Sequence, residues 1–463
     1  MRLTGQTGPS QRILHTSYLK VKTRSRTQQQ QPSRCLWWGV VALSLLGAVV
    51  YVGRDGLLTW ASTILEHNGL LTLIGTAIRP AQHPPTPAPF LSEQDKRAKN
   101  VKRRFAGYEA VPGQLNVLSS DEATSAGVDV GGGNDAKIEF ALPDLARAQT
   151  FGAKDLEPLS PSNIKGVVLL AHTCKSRPEA WFPRDAATCP ACLGMPMERE
   201  IVRKMVFRGF VPVAVAPAAL KKSSQCWSDG DHKAVLAVVA AVYRRLQVSP
   251  SAVPLFALGV ANGAIFLERL AASSPVSRGF WNISAFAMMN GGIWRAVDDK
   301  RYPPVLFLCM ARNSDLCLHN NSTMTALRKR GMVSEQFAFE PRPLTPSFFS
   351  DAGRVLTPTD SERLYRAVDQ AQLIWPGSGI FVEDPLFGSY RDTVRAIVQR
   401  TLPHVVPSQD SFRFPNSPLA QLLSLSWGFR EVTDEDTDKM LDWFVAKSGE
   451  GREQSTGGSL LVP

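Results

Sequence analysis

The chain has 463 residues, 44% of them hydrophobic, which is enough for one large folded domain with additional segments. Its formal charge of +11 is unevenly spread: residues 1–54 hold eight Lys/Arg and no acid, leaving 44 basic against 41 acidic side chains in the remainder. A globular part so close to neutrality argues against nucleic acid as its partner.

In chain order, residues 1–34 form a basic tail and 35–52 a predicted transmembrane helix. Its core is the uncharged run Leu36 to Val52, with Trp37 and Trp38 at one end and Tyr51 at the other. Seven of the eight positive charges precede the run, so the expectation is a single-pass type II protein, N-terminus cytosolic and main domain luminal or extracellular. A cleaved signal peptide, or a transit peptide to plastid or mitochondrion, is the alternative. Cys35 adjoins the run and is either a palmitoylation site or a bystander thiol. Residues 53–160 form a juxtamembrane segment and stalk, with Gly69 to Ile78 amphipathic and residues 79–100 rich in proline.

Within 161–448 the pattern becomes regular. Lys137 to Leu142 already alternates like a strand. Val167 to Ala171, Val211 to Val215, Val253 to Leu258, Ser284 to Met289 and Val305 to Cys309 are apolar runs suited to buried parallel strands. Helices are predicted between them at Met197 to Arg208, Asp231 to Leu246, Ala264 to Ala272 and Ser322 to Arg330. This alternation predicts an α/β fold with a doubly wound, mostly parallel sheet. Residues 449–463, rich in Gly and Ser, are expected to be disordered.

The stretch Gly259-Val260-Ala261-Asn262-Gly263 follows a predicted strand and opens a predicted helix. It has the outline of the nucleophile elbow G-x-S-x-G with alanine in the middle. Alanine carries no atom that attacks a carbonyl, so serine-type acyl transfer there is excluded. The elbow, with Leu169 to Cys174, Cys189 to Pro196, Gln225-Cys226-Trp227, Pro303 to Met310 and Glu340 to Pro346, resembles the α/β-hydrolase superfamily. Within it the chain is similar to a little-characterised plant and protist branch, over about residues 163–445.

The resemblance implies a triad acid after Val305 to Cys309, where Asp315 or Asn313 stands, and a late histidine, where Arg430 stands in Arg430-Glu431. Arginine stays protonated and serves as no base. The remaining C-terminal histidine, His404, reads as structural. The resemblance also implies an oxyanion loop at His172-Thr173, where active members tend to have His-Gly. A degenerate triad thus points to a pseudo-hydrolase that binds an acyl- or ester-like ligand or a protein partner. The alternatives are an esterase using Cys174 beside His172, or a structural membrane protein.

The cysteines allow several readings. Cys174, Cys189, Cys192 and Cys226 are disulfide candidates, with Cys174 and Cys226 one possible pair. The C-x-x-C of Cys189 and Cys192 also has redox spacing, and the four together have zinc-ligand chemistry, but the disulfide reading is preferred and no metal or cofactor is expected. Sequons at Asn282, Asn320 and Asn321 make these glycosylation candidates. Asp229-Gly230-Asp231-His232 and Thr433 to Asp436 read as charged helix starts.

Overall fold

A computed structural model describes residues 113–118, 138–143, 162–174, 176–217, 226–272, 283–294, 302–405 and 417–456. These all fall in the unit Lys102–Pro463. Eight strands form one sheet: β1 (Gly113–Leu118), β2 (Ile138–Pro143), β3 (Gly166–Ala171), β4 (Phe210–Val215), β5 (Leu255–Val260), β6 (Ile283–Met289), β7 (Val305–Met310) and β8 (Ser334–Phe339). Their order is β1-β2-β4-β3-β5-β6-β7-β8. Strands β3 to β8 pair in parallel, while β2 runs antiparallel to both β1 and β4. The mostly parallel sheet is the one the apolar runs predict.

Both faces of the sheet are covered, which is why its central strands are apolar at every position. Val168, Leu170, Phe256 and Leu258 point to one face. There they meet α1 (Pro196–Phe207), α8 (Pro418–Trp427) and α9 (Thr437–Thr456) through Ile201, Met205, Leu422 and Phe444. Val167, Leu169 and Ala257 point to the other face, against α2 (His232–Leu246) and α3 (Asn262–Ala272). Phe256 stacks on Phe444 at 4.8 Å between ring centres, tying the last helix to the middle of the sheet.

Four features escape the sequence pattern. Helix α4 (Ser314–Lys329) starts eight residues before the predicted Ser322. Edge strand β8 carries Glu335 and Gln336 because only part of it is buried, so no apolar run marks it. After α5 (Phe348–Asp351), the helices α6 (Pro358–Gln370), α7 (Gly388–Thr401) and α8 continue the chain without further strands. Helix α9 runs on to Thr456, past residue 448, where the folded domain is expected to end.

The membrane placement is corrected. No helix among the described residues is long and apolar enough to cross a membrane, against the expected single-pass type II protein. The run Leu36 to Val52 lies outside the described residues, as do the basic tail, the Pro-rich stalk and Cys35.

Residues 428–434, between α8 and α9, are fastened at their far end by ions. Asp434 accepts hydrogen bonds from Lys204 Nζ at 2.7 Å and Arg342 Nη2 at 2.6 Å. Arg342 also donates to Thr433 Oγ1. Burial raises the Asp434 carboxyl, but the two cations override it and hold it far below the ordinary carboxylate range. A carboxyl depressed in the folded state stabilises it above the unfolded value of 3.8 and loses that contribution as pH falls below it. Asp434→Ala strands two largely buried cations and is expected to cost about 3 kcal/mol in urea denaturation at neutral pH. The deficit should shrink below pH ~4; a variant as stable as the parent would remove this fastening from the account.

Candidate functional site

Strand β5 ends at Val260, and Ala261 then takes a left-handed backbone with φ of 49° before α3 begins at Asn262. For an L-residue other than glycine this conformation costs about 1–2 kcal/mol. The turn is held on both sides. Ala261 N–H donates to Met289 O of β6 at 2.9 Å, and Ala261 O accepts from Ala264 N–H at 3.1 Å and Ile265 N–H at 3.2 Å. A Cβ on Gly259 would come within 2.5 Å of Ala264 Cα, and one on Gly263 within 2.2 Å of Ala171 O. Both positions therefore accept only glycine. The elbow is complete except that a methyl group stands at its apex.

On the β3 side, His172 is buried and its Nδ1 lies 2.8 Å from Thr173 O. A carbonyl only accepts, so Nδ1 carries the proton. Burial lowers the imidazole to about 4, which leaves it neutral, and its Nε2 is buried without a partner. His172 O accepts from Trp227 Nε1–H, and Trp227 N–H donates to Asn262 Oδ1, each at 2.8 Å. Trp227 stacks on Phe266 of α3 at 4.4 Å. The predicted oxyanion loop is thus joined to the elbow through Trp227.

A disulfide joins Cys174 to Cys226, the residue before Trp227. This corrects the alternative in which Cys174 is a nucleophile, because a disulfide sulfur offers no thiolate. Cys189 and Cys192 are bonded to each other, so the four cysteines are paired and not gathered as zinc ligands, and burial keeps this C-x-x-C bond from an exchange partner. A third pair, Cys309–Cys317, ties the end of β7 to α4. No group of three or more metal-ligating side chains comes together among the described residues.

The remaining triad positions are dispersed. Asn313 is buried at the head of α4, and Asp315 is exposed in its first turn. Arg430 is exposed, its guanidinium 5.2 Å from the Phe429 ring. Its neighbour Glu431 is the buried residue. His404 lies at the surface, 3.3 Å from Asp360. Arg312, after β7, sits over the Trp427 ring at 3.9 Å.

Two of the expected modification and charge motifs also resolve. Asn320 is fully buried and donates to Gly291 O, so it is no glycosylation acceptor in the fold; Asn321 is exposed, and Asn282 lies outside the described residues. Asp231 Oδ2 accepts from Ser228 N–H and Oγ–H, and Asp229 pairs with Arg269 at 3.0 Å, which is the helix start expected there.

What the motif search missed lies on the β6 side. Asn290 follows Met289 with φ of 53°, and its Nδ2 donates to Glu431 O at 2.6 Å. Segment 428–434 is therefore docked on the strand end that receives Ala261 N–H. Asn290 Oδ1 and Glu431 Oε2 are both buried without partners. Burial and the neighbouring Asp384 push the Glu431 carboxyl up to about 8. Glu198, in the first turn of α1, is raised by burial to about 7 and accepts from Gln421 Nε2 at 2.6 Å. The signal for Asn290 was present: Asn-Gly-Gly directly after an apolar strand marks a left-handed turn. For Glu198 and Glu431 there was none.

A cleft of about 620 Å³ lies elsewhere. It is lined by Asn321, Met324, Arg328, Met332 and Gln336 at the start of β8, the opposite end of the sheet from Ala261.

No family model matches the chain, and no curated protein matches it. Solved structures similar to it are esterases and hydrolases. Esterase LipW from Mycobacterium marinum is 12% identical, covering 54% of this chain and 78% of its own, with a TM-score of 0.32. A bacterial heroin esterase is 15% identical over 53% and 80%, with a TM-score of 0.31. An α/β serine hydrolase without lid from Xanthomonas campestris is 13% identical over 50% and 86%, also at 0.31. Likeness at this level says nothing about activity, and the site is read from the chain's own geometry.

The left-handed turn itself is testable. Ala261→Gly relieves the strain at φ 49° and is expected to stabilise the protein by about 0.5–1 kcal/mol in denaturant unfolding. A loss of similar size would mean that Ala261 does not occupy this conformation.

Proposed function

We propose that the chain is a ligand-binding protein built on a hydrolase-type scaffold, with no acyl-transfer chemistry of its own. One observation carries the reading: Ala261 occupies the left-handed apex of an elbow whose glycines are sterically required, so the turn is kept and the nucleophile is not. Covalent catalysis there needs an atom that attacks and a base to activate it. Ala261 supplies neither, Cys174 is bonded to Cys226, and the histidine position holds an exposed guanidinium, Arg430, in place of an imidazole.

In open α/β sheets, ligands bind outside the carboxyl ends of the strands. At that edge Asn290, which follows β6, binds the backbone of Glu431 in segment 428–434, and Arg312, which follows β7, sits over the Trp427 ring. Buried polar atoms there, His172 Nε2, Asn290 Oδ1 and Glu431 Oε2, lack partners among the described residues. Buried polar groups are ordinarily satisfied, so such atoms mark where a bound molecule would be held. The motifs of the chain fit the plant and protist branch of the α/β-hydrolase superfamily with its triad dismantled.

Hydrolysis of p-nitrophenyl acetate tests the reading. The parent chain should match buffer alone, and turnover abolished by blocking a serine would overturn it. Ala261→Ser with Arg430→His should also stay silent, because position 430 faces solvent while Glu431 takes the interior. Esterase activity in that variant would show that residue 430 does reach the elbow.

A further inference from the structure

Strand β8 ends the sheet on one side: it pairs with β7 and, among the described residues, with nothing beyond. The ladder fixes which of its backbone groups face outward. Val305 N–H donates to Val333 O and Ala311 N–H to Phe339 O, so the odd-numbered residues spend their backbone groups on β7. In a parallel pair the alternate residues, Ser334, Gln336 and Ala338, then turn theirs away. Ser334 O is covered, because Arg328 of α4 donates to it from Nε at 3.0 Å and from Nη2 at 2.7 Å. The outward groups of Gln336 and Ala338 have no partner among the described residues. Edge strands ordinarily carry a lysine, a proline or a bulge that prevents pairing with another chain. Ser334 to Phe339 has none of these, and its register with β7 runs unbroken.

What fits this edge follows from its own sequence. An antiparallel neighbour related by a two-fold axis at Phe337 sets Gln336 opposite Ala338 of a second copy, and Ala338 opposite its Gln336. Every outward N–H and C=O of both residues is then used, and none is asked of Ser334. Phe337, half-buried, stands opposite itself in a non-hydrogen-bonded pair, where side chains approach closely and aromatic pairs are favourable. The same register brings Ser334, with Arg328 on its carbonyl, opposite Glu340 of the second copy. Glu340 is exposed, and neither it nor Arg328 has an ion pair among the described residues. The cleft lined by Met324, Arg328 and Gln336 adjoins this edge, so the incoming carboxylate meets it at its cation. The edge is thus positive at one end and negative at the other, which a two-fold axis makes self-complementary.

We propose that β8 is the interface of a homodimer, in which two copies pair their β8 strands antiparallel about Phe337 and Arg328 of each faces Glu340 of the other. A foreign strand uses the same backbone groups, but the opposite charges at the two ends are matched by this chain's own edge. The interface stands whatever the elbow binds.

Sedimentation velocity of the purified full chain at micromolar concentration tests this, with a concentration-dependent species of twice 50.7 kDa expected. Ala338→Pro removes an outward N–H and leaves the ladder to β7 intact, so it should give a monomer with unchanged near-ultraviolet dichroism. Arg328→Glu and Glu340→Arg should each raise the dimer dissociation constant ~10-fold or more, and the two together should return it toward the parent value. These two serve if Ala338→Pro does not fold. Cross-linking reads the register. With Cys35→Ser removing the cysteine left outside the three disulfides, Phe337→Cys should form a disulfide between copies, and Ala338→Cys should not. A monomeric parent chain would overturn the proposal, including one that instead binds an extended peptide at β8. So would a dimer that survives Ala338→Pro and both charge reversals and gives no cross-link at position 337.

Discussion

The structure turns on a single backbone conformation, the left-handed residue between β5 and α3. The chain must reverse there within one residue, and it does so only because Gly259 and Gly263 let the helix and β3 close against the strand. Ala261 carries the strain in place of a glycine that would adopt it freely. Strain of this kind persists in proteins where the surroundings over-determine it, and in hydrolases it holds the nucleophile proud of the sheet. Here it holds a methyl group. The fold therefore depends on a turn whose apex carries no nucleophile.

What surrounds the elbow follows from that. On one side, Trp227 bonds to both His172 O and Asn262, and the Cys174–Cys226 disulfide locks the two loops that carry them. A disulfide at this place leaves neither Cys174 nor Cys226 as a free thiol. On the other side, Asn290 binds the backbone of Glu431, while Asp434 secures the far end of the same segment. Segment 428–434 is thus held at both ends, with the Glu431 side chain buried.

The sheet was legible because burial on both faces forces an uninterrupted apolar run, and β3, β4, β5, β6 and β7 all show one. Strand β8 was not, since an edge strand with Glu335 and Gln336 has no such run to display. The elbow was legible because a tight turn demands glycines at fixed spacing. The alanine at its apex said what the site does not do. What the site contains was hidden, because Glu198 on α1 and Glu431 after α8 are 233 residues apart and meet only through packing. Pairing of Cys309 with Cys317 was equally silent, although those cysteines are eight residues apart. The membrane placement rested on the uncharged run Leu36 to Val52 and the positive charges before it, and no helix among the described residues supports it.

The central claim is that no serine in this domain is activated for nucleophilic attack. A fluorophosphonate probe reacts with such serines wherever they lie, so it does not depend on having aligned the triad correctly. The purified full chain, treated with the probe and mapped by peptide mass spectrometry, is expected to carry no adduct between residues 162 and 448. A stoichiometric adduct on any serine in that range, abolished by prior unfolding, would contradict the account.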